Sequence, residues 1–131
     1  MKDVTQTPLF ECIMSGEIDD TPYDLHNDYQ CIKIQLDAAE KKLQLRFTND
    51  DYKVIVEFYQ VTITNFTIHP EKTAESGTLE HFYRGRFEFN NNLHEITALG
   101  EYYYYLALME RDVIELFGKR VTLSKSRLNS G

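Results

Sequence analysis

The chain has 131 residues, of which 42% are hydrophobic and 27% charged, the size and composition of one folded globular domain. Its formal net charge of −7 excludes an overall basic surface that would attract phosphates, so we expect no nucleic-acid partner. No apolar stretch approaches the roughly 18 residues of a membrane span, and Met1 opens no apolar leader, so we expect a cytoplasmic protein without membrane attachment.

Alternation of apolar and polar residues predicts strands along the first third of the chain. A strand over residues 9–15 leads into an acidic loop over 16–27, in which Asp19 and Asp20 precede a proline, as in many turns. Two further strands are joined by a hairpin connection over 37–42. Their side chains expected to face the core are Ile32, Ile34, Leu36, Leu43, Leu45 and Phe47.

A long β-rich run follows over residues 52–68, but its apolar residues change parity. Val54, Val56 and Phe58 keep one parity, whereas Val61 and Ile63 keep the other. Because a shift of one residue moves every side chain to the opposite face, we predict a bulge near residues 59–60.

The chain then forms a predicted loop over 69–78 and a strand over 79–89. The residues expected on the inner face of this strand are Leu79, His81, Tyr83, Phe87 and Phe89, which makes His81 a core imidazole. Gly85 shares that face, where it marks a bend or admits a close neighbour.

Three more strands are predicted over residues 101–109, 113–117 and 121–123. Residues 113–117 could also form a helical turn, but their β-branched members favour a strand. No amphipathic helix of ten or more residues is apparent. The sequence therefore predicts a single all-β (or β-rich α+β) domain, built as an antiparallel curved sheet, sandwich or small barrel.

No motif for catalysis or for a metal is present. The four histidines and the two cysteines, Cys12 and Cys31, lack the spacing of metal ligands, and the six glycines are scattered singly rather than forming a phosphate loop. His26 lies between Asp24 and Asp28 and could transfer protons, but such neighbours are common in acidic loops. We expect no enzymatic activity, no metal and no cofactor.

The acidic residues are concentrated at one end of the sequence. The first 37 residues contain eight of the 21 acidic residues and only two of the 14 lysines and arginines. Such a segment would suit a basic protein partner, whose approach it could steer. Alternatively, the acidity only keeps the protein in solution.

Four consecutive tyrosines at positions 102–105 are the most unusual local feature. On a strand two of them face each side, so one pair can be core while the other lies on the outer face. Exposed tyrosines are favoured at protein interfaces because a rigid ring supplies contact area at little entropic cost. Alternatively, the outer pair only packs across strands against Arg84 or Phe82.

Several segments of the first half carry a resemblance to a known group of proteins. They are Leu25-His26-Asn27-Asp28, Ile32-Lys33-Ile34-Gln35-Leu36-Asp37, Lys42-Leu43-Gln44-Leu45-Arg46-Phe47 and Val56-Glu57-Phe58-Tyr59-Gln60-Val61. Residues 112–117 show a weaker likeness to the same pattern. In this pattern the chain resembles small β-rich bacterial immunity proteins, encoded beside polymorphic or contact-dependent toxins.

The resemblance implies a protein that neutralises a cognate toxin by covering its active site or a nearby surface. The acidic segment would then pair with the lysines and arginines of a basic toxin, as nucleases tend to be. The contact residues predicted on this basis are Asp19, Asp20, Asp24, His26 and Asp28, with Tyr103 and Tyr105 as aromatic anchors.

The sequence is also compatible with two other functions. A curved sheet or barrel could hold an apolar small molecule, as a carrier or a minor enzyme, in a cavity lined by Phe47, Phe58, His81, Tyr83, Phe87 and Phe89. The tyrosine-rich strand could also be an open sheet edge in an assembly subunit. The oligomeric state is left open.

Overall fold

The computed structural model describes residues 1–7, 13–69, 77–109 and 112–128. All the regular structure in these residues is β-strand, and all the strand pairs are antiparallel, which confirms the predicted all-β class. Across the same residues, no helix could span a membrane. The larger part of the strand predicted over 9–15, with Cys12, lies outside the described residues.

In chain order, the strands are β1 (Lys2–Asp3), β2 (Ser15–Ile18), β3 (Thr21–Asp24), β4 (Gln30–Asp37), β5 (Lys42–Thr48), β6 (Tyr52–Tyr59), β7 (Thr62–Thr67), β8 (Leu79–Arg84), β9 (Arg86–Phe89), β10 (Asn92–Glu95), β11 (Thr97–Ala98), β12 (Glu101–Leu108), β13 (Asp112–Gly118) and β14 (Arg120–Arg127). The segment 113–117 is therefore a strand, as its β-branched residues predict.

The first sheet has the strand order β1-β14-β6-β5-β4. Residues directly opposite each other on neighbouring strands point to the same face, and the alternation of β5 is in register with that of β6. The inner face therefore collects the apolar residues of both strands. Leu43, Leu45 and Phe47 are fully buried, as predicted, and so are Val54, Val56 and Phe58, which share one parity.

The second sheet is built around the tyrosine-rich strand β12. Strand β13 pairs with one side of β12 and with β7 beyond it, while β8 and the short β11 pair with the other side. Because β12 is flanked on both sides, the prediction that it forms an open sheet edge is wrong. Its inner face contributes Tyr104 and Leu106, both fully buried.

The inner faces of the two sheets pack against each other. The ring of Phe58 in the first sheet lies 5.7 Å from the ring of Phe82 and 5.5 Å from that of Tyr104, both in the second sheet. Offset and edge-on ring contacts at these distances are favourable beyond the apolar area that they bury. The hydrophobic core therefore lies between the sheets, with Phe58 at their contact.

The acidic segment predicted as a loop over 16–27 instead forms a hairpin of β2 and β3. Its two-residue turn consists of Asp19 and Asp20, whose φ angles of 50° and 64° are those of a type I′ turn, which Asp tolerates better than most residues. The hairpin buries Ile18, directly before the turn, and Tyr23 of β3. Each of these two residues has an acidic neighbour in the sequence, and neither strand shows an alternation of apolar and polar side chains.

Strand β4 does not bury all the residues predicted to face the core. Ile32 and Leu36 are 59% and 53% exposed, whereas Ile34 is half-buried. Leu36 lies opposite the buried Leu43 and so shares the inner face, but β4 is the last strand of its sheet and is incompletely covered. Ile32 occupies an irregularity in the pairing with β5, between Cys31 and Lys33.

The run predicted as one bulged strand over 52–68 is two strands in different sheets. Strand β6 ends at Tyr59, and Gln60 adopts a φ of 53° before β7 enters the second sheet. The bulge predicted near residues 59–60 is therefore wrong, because the parity changes where the chain crosses between sheets. The turn is anchored where the Val61 N–H donates to the Lys41 carbonyl at 2.9 Å.

The strand predicted over 79–89 breaks at Gly85 into β8 and β9. The pairing of β8 with β12 is irregular directly after Leu79. Beyond this point the even-numbered residues of β8 face inward in place of the odd-numbered ones, so Phe82 and Arg84 are buried. His81 is exposed, and its prediction as a core imidazole is wrong. Phe89 is likewise exposed, and the side chain of Phe87 lies outside the described part.

Candidate functional site

The outer face of the second sheet carries a cluster of aromatic and polar side chains, which we call the tyrosine face. It comprises His81, Tyr83, Tyr103, Tyr105, Glu115 and Phe117. Because Tyr104 points into the core, its neighbours Tyr103 and Tyr105 point outward, and both are half-buried. One pair of tyrosines on each side of the strand is what the sequence predicts.

The rings of the tyrosine face are in contact with one another. Tyr105 stacks on Tyr83 with centroids 5.3 Å apart and planes 26° from parallel, and His81 lies 6.4 Å away on the same strand as Tyr83. Tyr103 meets Phe117 edge-on at 5.4 Å. Such contacts hold each ring in one orientation, so little entropy would be lost if a partner covered them. The predicted packing against Arg84 or Phe82 is wrong, since both are buried on the opposite face.

An acidic group is held within the tyrosine face. The Tyr103 hydroxyl donates a hydrogen bond to one carboxylate oxygen of Glu115, and the Asn65 side-chain amide donates to the other at 3.0 Å. Glu115 also lies directly opposite Tyr105 on the neighbouring strand. The carboxylate therefore has a fixed position, where it can also accept hydrogen bonds from a partner.

The position of the Tyr103 ring depends on Gly85. A Cβ atom at position 85 would overlap this ring, so only glycine leaves room for it there. The Gly85 N–H also donates to the Tyr103 carbonyl. Gly85 therefore admits a close neighbour, as the sequence predicts, and β8 ends beside it. That neighbour is the outward-facing Tyr103, so the predicted position of Gly85 on the inner face is wrong.

The strands that form the tyrosine face place no lysine or arginine on it. In the five strands of the second sheet, all of them described, Arg84 is the only lysine or arginine, and it is buried on the inner side. There its Nη1 donates to the Thr5 carbonyl at 2.9 Å, and its Nε lies 2.6 Å from a carboxylate oxygen of Glu95. The outer face instead carries the acids Glu101 and Glu115.

The outer face of the first sheet has the opposite character. Its strand registers place five bases and three acids on this face: Lys33, Lys42, Arg46, Lys53, Arg120, Asp3, Asp37 and Glu57. Two of the bases are paired, Lys42 with Glu57 at 3.3 Å and Arg120 with Asp3 at 3.1 Å. The two broad faces of this acidic protein are therefore chemically distinct.

The predicted acidic contact residues fall into two groups. Asp19 and Asp20 form the hairpin turn and point to solvent, the Asp19 side chain being 78% exposed, and Asp28 is also exposed. The carboxylate of Asp24 instead closes the turn after β3 by accepting hydrogen bonds from His26 and Asn27. Burial raises the pKa of Asp24, but these hydrogen bonds outweigh it and hold the pKa below its ordinary value.

His26 also takes part in structural hydrogen bonding. Its Nδ1 lies 2.6 Å from the carbonyl oxygen of Leu79. Because a carbonyl only accepts, Nδ1 carries the proton in this contact. The ring thus joins the turn after β3 to the start of β8.

Of the predicted contact residues, the structure brings together Tyr103 and Tyr105 on one face, and Asp24, His26 and Asp28 in one turn. No hydrogen bond or ring contact within the described ranges joins the two groups. The residue pattern does not identify Glu115 and Phe117 as site residues, and its alternation predicts the wrong face for Tyr83 and His81. The alternation of 113–117 puts Glu115 and Phe117 on a common face, but only the strand order shows that they adjoin the tyrosines.

The residues predicted to line a small-molecule cavity do not share one. Phe47 and Phe58 are packed in the core, whereas His81 and Tyr83 lie on the outer face of the second sheet and Phe89 is 61% exposed. No group of three His, Cys, Asp or Glu side chains able to hold a metal ion occurs among the described residues.

No protein-family model matches the chain, and no curated protein matches it at a significant level.

We expect four tyrosines to resist ionisation while the protein is folded. Burial raises the pKa of Tyr29, Tyr103, Tyr104 and Tyr105, and the hydrogen bond to Glu115 adds to the effect at Tyr103. A raised pKa means that folding favours the neutral phenol. The resulting stability is fully present below the unfolded pKa of about 10 and is lost as the pH rises through the folded values.

Absorbance at 295 nm, which reports phenolate, tests this expectation. At a pH where the urea-unfolded protein shows all nine tyrosines ionised, the folded protein should show a smaller signal until it unfolds. Tyr103→Phe should remove one of the resistant groups and reduce the late part of the titration. Coincident titration curves for folded and unfolded protein would contradict the prediction.

Proposed function

We propose that the protein binds a basic protein partner through the tyrosine face and, as the sequence resemblance implies, neutralises a toxin in this way. The observation that carries the proposal is the pre-ordered cluster of Tyr83, Tyr103 and Tyr105 around the fixed carboxylate of Glu115. Tyrosines are enriched among the residues that dominate binding energy at protein interfaces.

Charge supports a basic partner. The five described strands of the second sheet place Glu101 and Glu115 on their outer side and no lysine or arginine there, and the protein as a whole carries a net charge of −7. A lysine or arginine of a partner could pair with Glu115 and stack on a neighbouring tyrosine ring. Catalytic lysines and arginines of nucleases hold phosphates, so a surface that engages them would block the substrate.

The acidic hairpin has a separate part in the proposal. Asp19 and Asp20 are exposed at its turn, and exposed charges outside a contact centre mainly change the rate of association. Asp24 and His26 hold the neighbouring turn through their hydrogen bonds and act by keeping the hairpin in place. The tyrosine face therefore supplies the affinity, and the hairpin steers the approach.

The test uses the product of the gene next to the one that encodes this protein, where that gene encodes a toxin domain. Co-expression should protect the cell, and the purified proteins should bind in titration calorimetry. Tyr105→Ser should weaken binding at least about tenfold, because a central interface tyrosine is lost. Tyr59→Ser is the matched control: this tyrosine is also half-buried but lies on the first sheet, so its loss should leave affinity nearly unchanged.

Replacing both Asp19 and Asp20 with lysine tests the steering role. We expect a slower association and a weaker dependence on salt, with little change in the dissociation rate. The proposal fails if the neighbouring gene product neither binds nor is neutralised. The tyrosine face is the wrong surface if Tyr59→Ser weakens binding and Tyr105→Ser does not.

A further inference from the structure

Strand β4 forms one edge of the first sheet and pairs with β5 on its other side. Within the described ranges, its one backbone hydrogen bond to a segment other than β5 joins the Cys31 N–H to the Gly77 carbonyl at 2.8 Å, at the start of the strand. The remainder of the edge, from Lys33 to Asp37, has backbone groups able to pair with another strand.

The side chains of this edge are apolar to an unusual degree for an exposed strand. Ile32 and Leu36 are more than half exposed, and Ile34 between them is half-buried. Lysines on edge strands commonly prevent pairing between molecules. Here, however, Lys33 is followed four residues later by Asp37 on the same face, with Gln35 midway between them.

This spacing makes the strand complementary to itself. If two copies of β4 pair in antiparallel fashion about Gln35, then Lys33 of each copy lies opposite Asp37 of the other, and Ile34 lies opposite Leu36. A shift of one residue in either direction places the charged side chains opposite uncharged ones and mismatches the faces. The charges of both copies are paired only in the register centred on Gln35.

We infer that β4 is a self-association edge, through which a second copy of this chain extends the first sheet in the register centred on Gln35. The pairing has twofold symmetry, so each contact occurs twice. It leaves the outer face of the second sheet uncovered, because it uses only the edge of the first. The inference is therefore independent of the proposed toxin-binding function.

A charge-swap experiment tests the register. Sedimentation velocity over a concentration series should show dimers of the full chain, and Lys33→Asp or Asp37→Lys alone should weaken dimerisation about tenfold by placing like charges opposite each other. An equimolar mixture of these two variants should dimerise like the unaltered protein, since each charge again meets its opposite. The double variant should also recover.

Cysteine crosslinking tests the geometry independently. Gln35→Cys should form a disulfide-linked dimer under mild oxidation, because the two copies of this residue are opposite each other. Gln44→Cys is the matched control, since Gln44 pairs with Gln35 one strand further into the sheet and shares its face. Equal crosslinking of both variants would indicate stacked faces and overturn the proposal. So would a protein that stays monomeric at all concentrations, or variants whose mixture fails to recover.

Discussion

Replacing Phe58 with alanine should lower the free energy of unfolding by about 3–5 kcal/mol, the usual loss for a large aromatic removed from a core. Phe58 is fully buried, and its ring contacts Phe82 and Tyr104 of the opposite sheet. The substitution removes these contacts and leaves a cavity between the two sheets. Backbone hydrogen bonds hold each sheet in its shape, so the sheets cannot collapse into the cavity.

Urea denaturation followed by tyrosine fluorescence measures this loss, and Phe66→Ala provides the control. Phe66 is also a phenylalanine on a strand, but it is 49% exposed on β7, the last strand of the second sheet. We expect its replacement to cost about 1 kcal/mol or less. Equal losses for the two variants would contradict the placement of the core between the sheets.

Replacing Gly85 with alanine should lower the free energy of unfolding by about 1–3 kcal/mol, as overpacking commonly does. The added methyl group would overlap the ring of Tyr103, which would have to move away. That movement would break the hydrogen bond to Glu115 and the edge-on contact with Phe117. Under the proposed function, the same variant should therefore weaken binding of a partner to the tyrosine face as well as stability.

Gly118→Ala is the matched control, because Gly118 is also a buried glycine that adjoins β12. A Cβ atom there would meet its nearest neighbour, the Leu116 Cδ1, at an ordinary distance of 3.5 Å. We expect this variant to lose less stability than Gly85→Ala under the same urea conditions.

A double-mutant cycle isolates the cause. If the overlap with the Tyr103 ring is responsible, then Gly85→Ala should cost much less in a Tyr103→Ala background. An unchanged cost there would show that glycine is needed at position 85 for its backbone alone.

Part of the candidate site could be predicted from the sequence. Alternation along the four consecutive tyrosines requires that two rings face outward, and the structure identifies them as Tyr103 and Tyr105. The neighbours of these rings could not be predicted, because Glu115 and Phe117 join them only through the pairing of β12 with β13. Alternation predicts the wrong face for Tyr83, because the irregularity that reverses the parity of β8 leaves no sign in the residue pattern.

Alternation by itself determined that this chain is built from strands and which residues of most strands share a face. Tertiary structure decided how much of each face is covered. Leu36 and Leu43 are the same residue type, lie opposite each other and point to the same side of the first sheet, yet Leu36 is 53% exposed and Leu43 is fully buried. The period of a strand fixes the direction of a side chain, whereas burial depends on the extent of the opposing sheet, which is set by contacts far apart in the sequence.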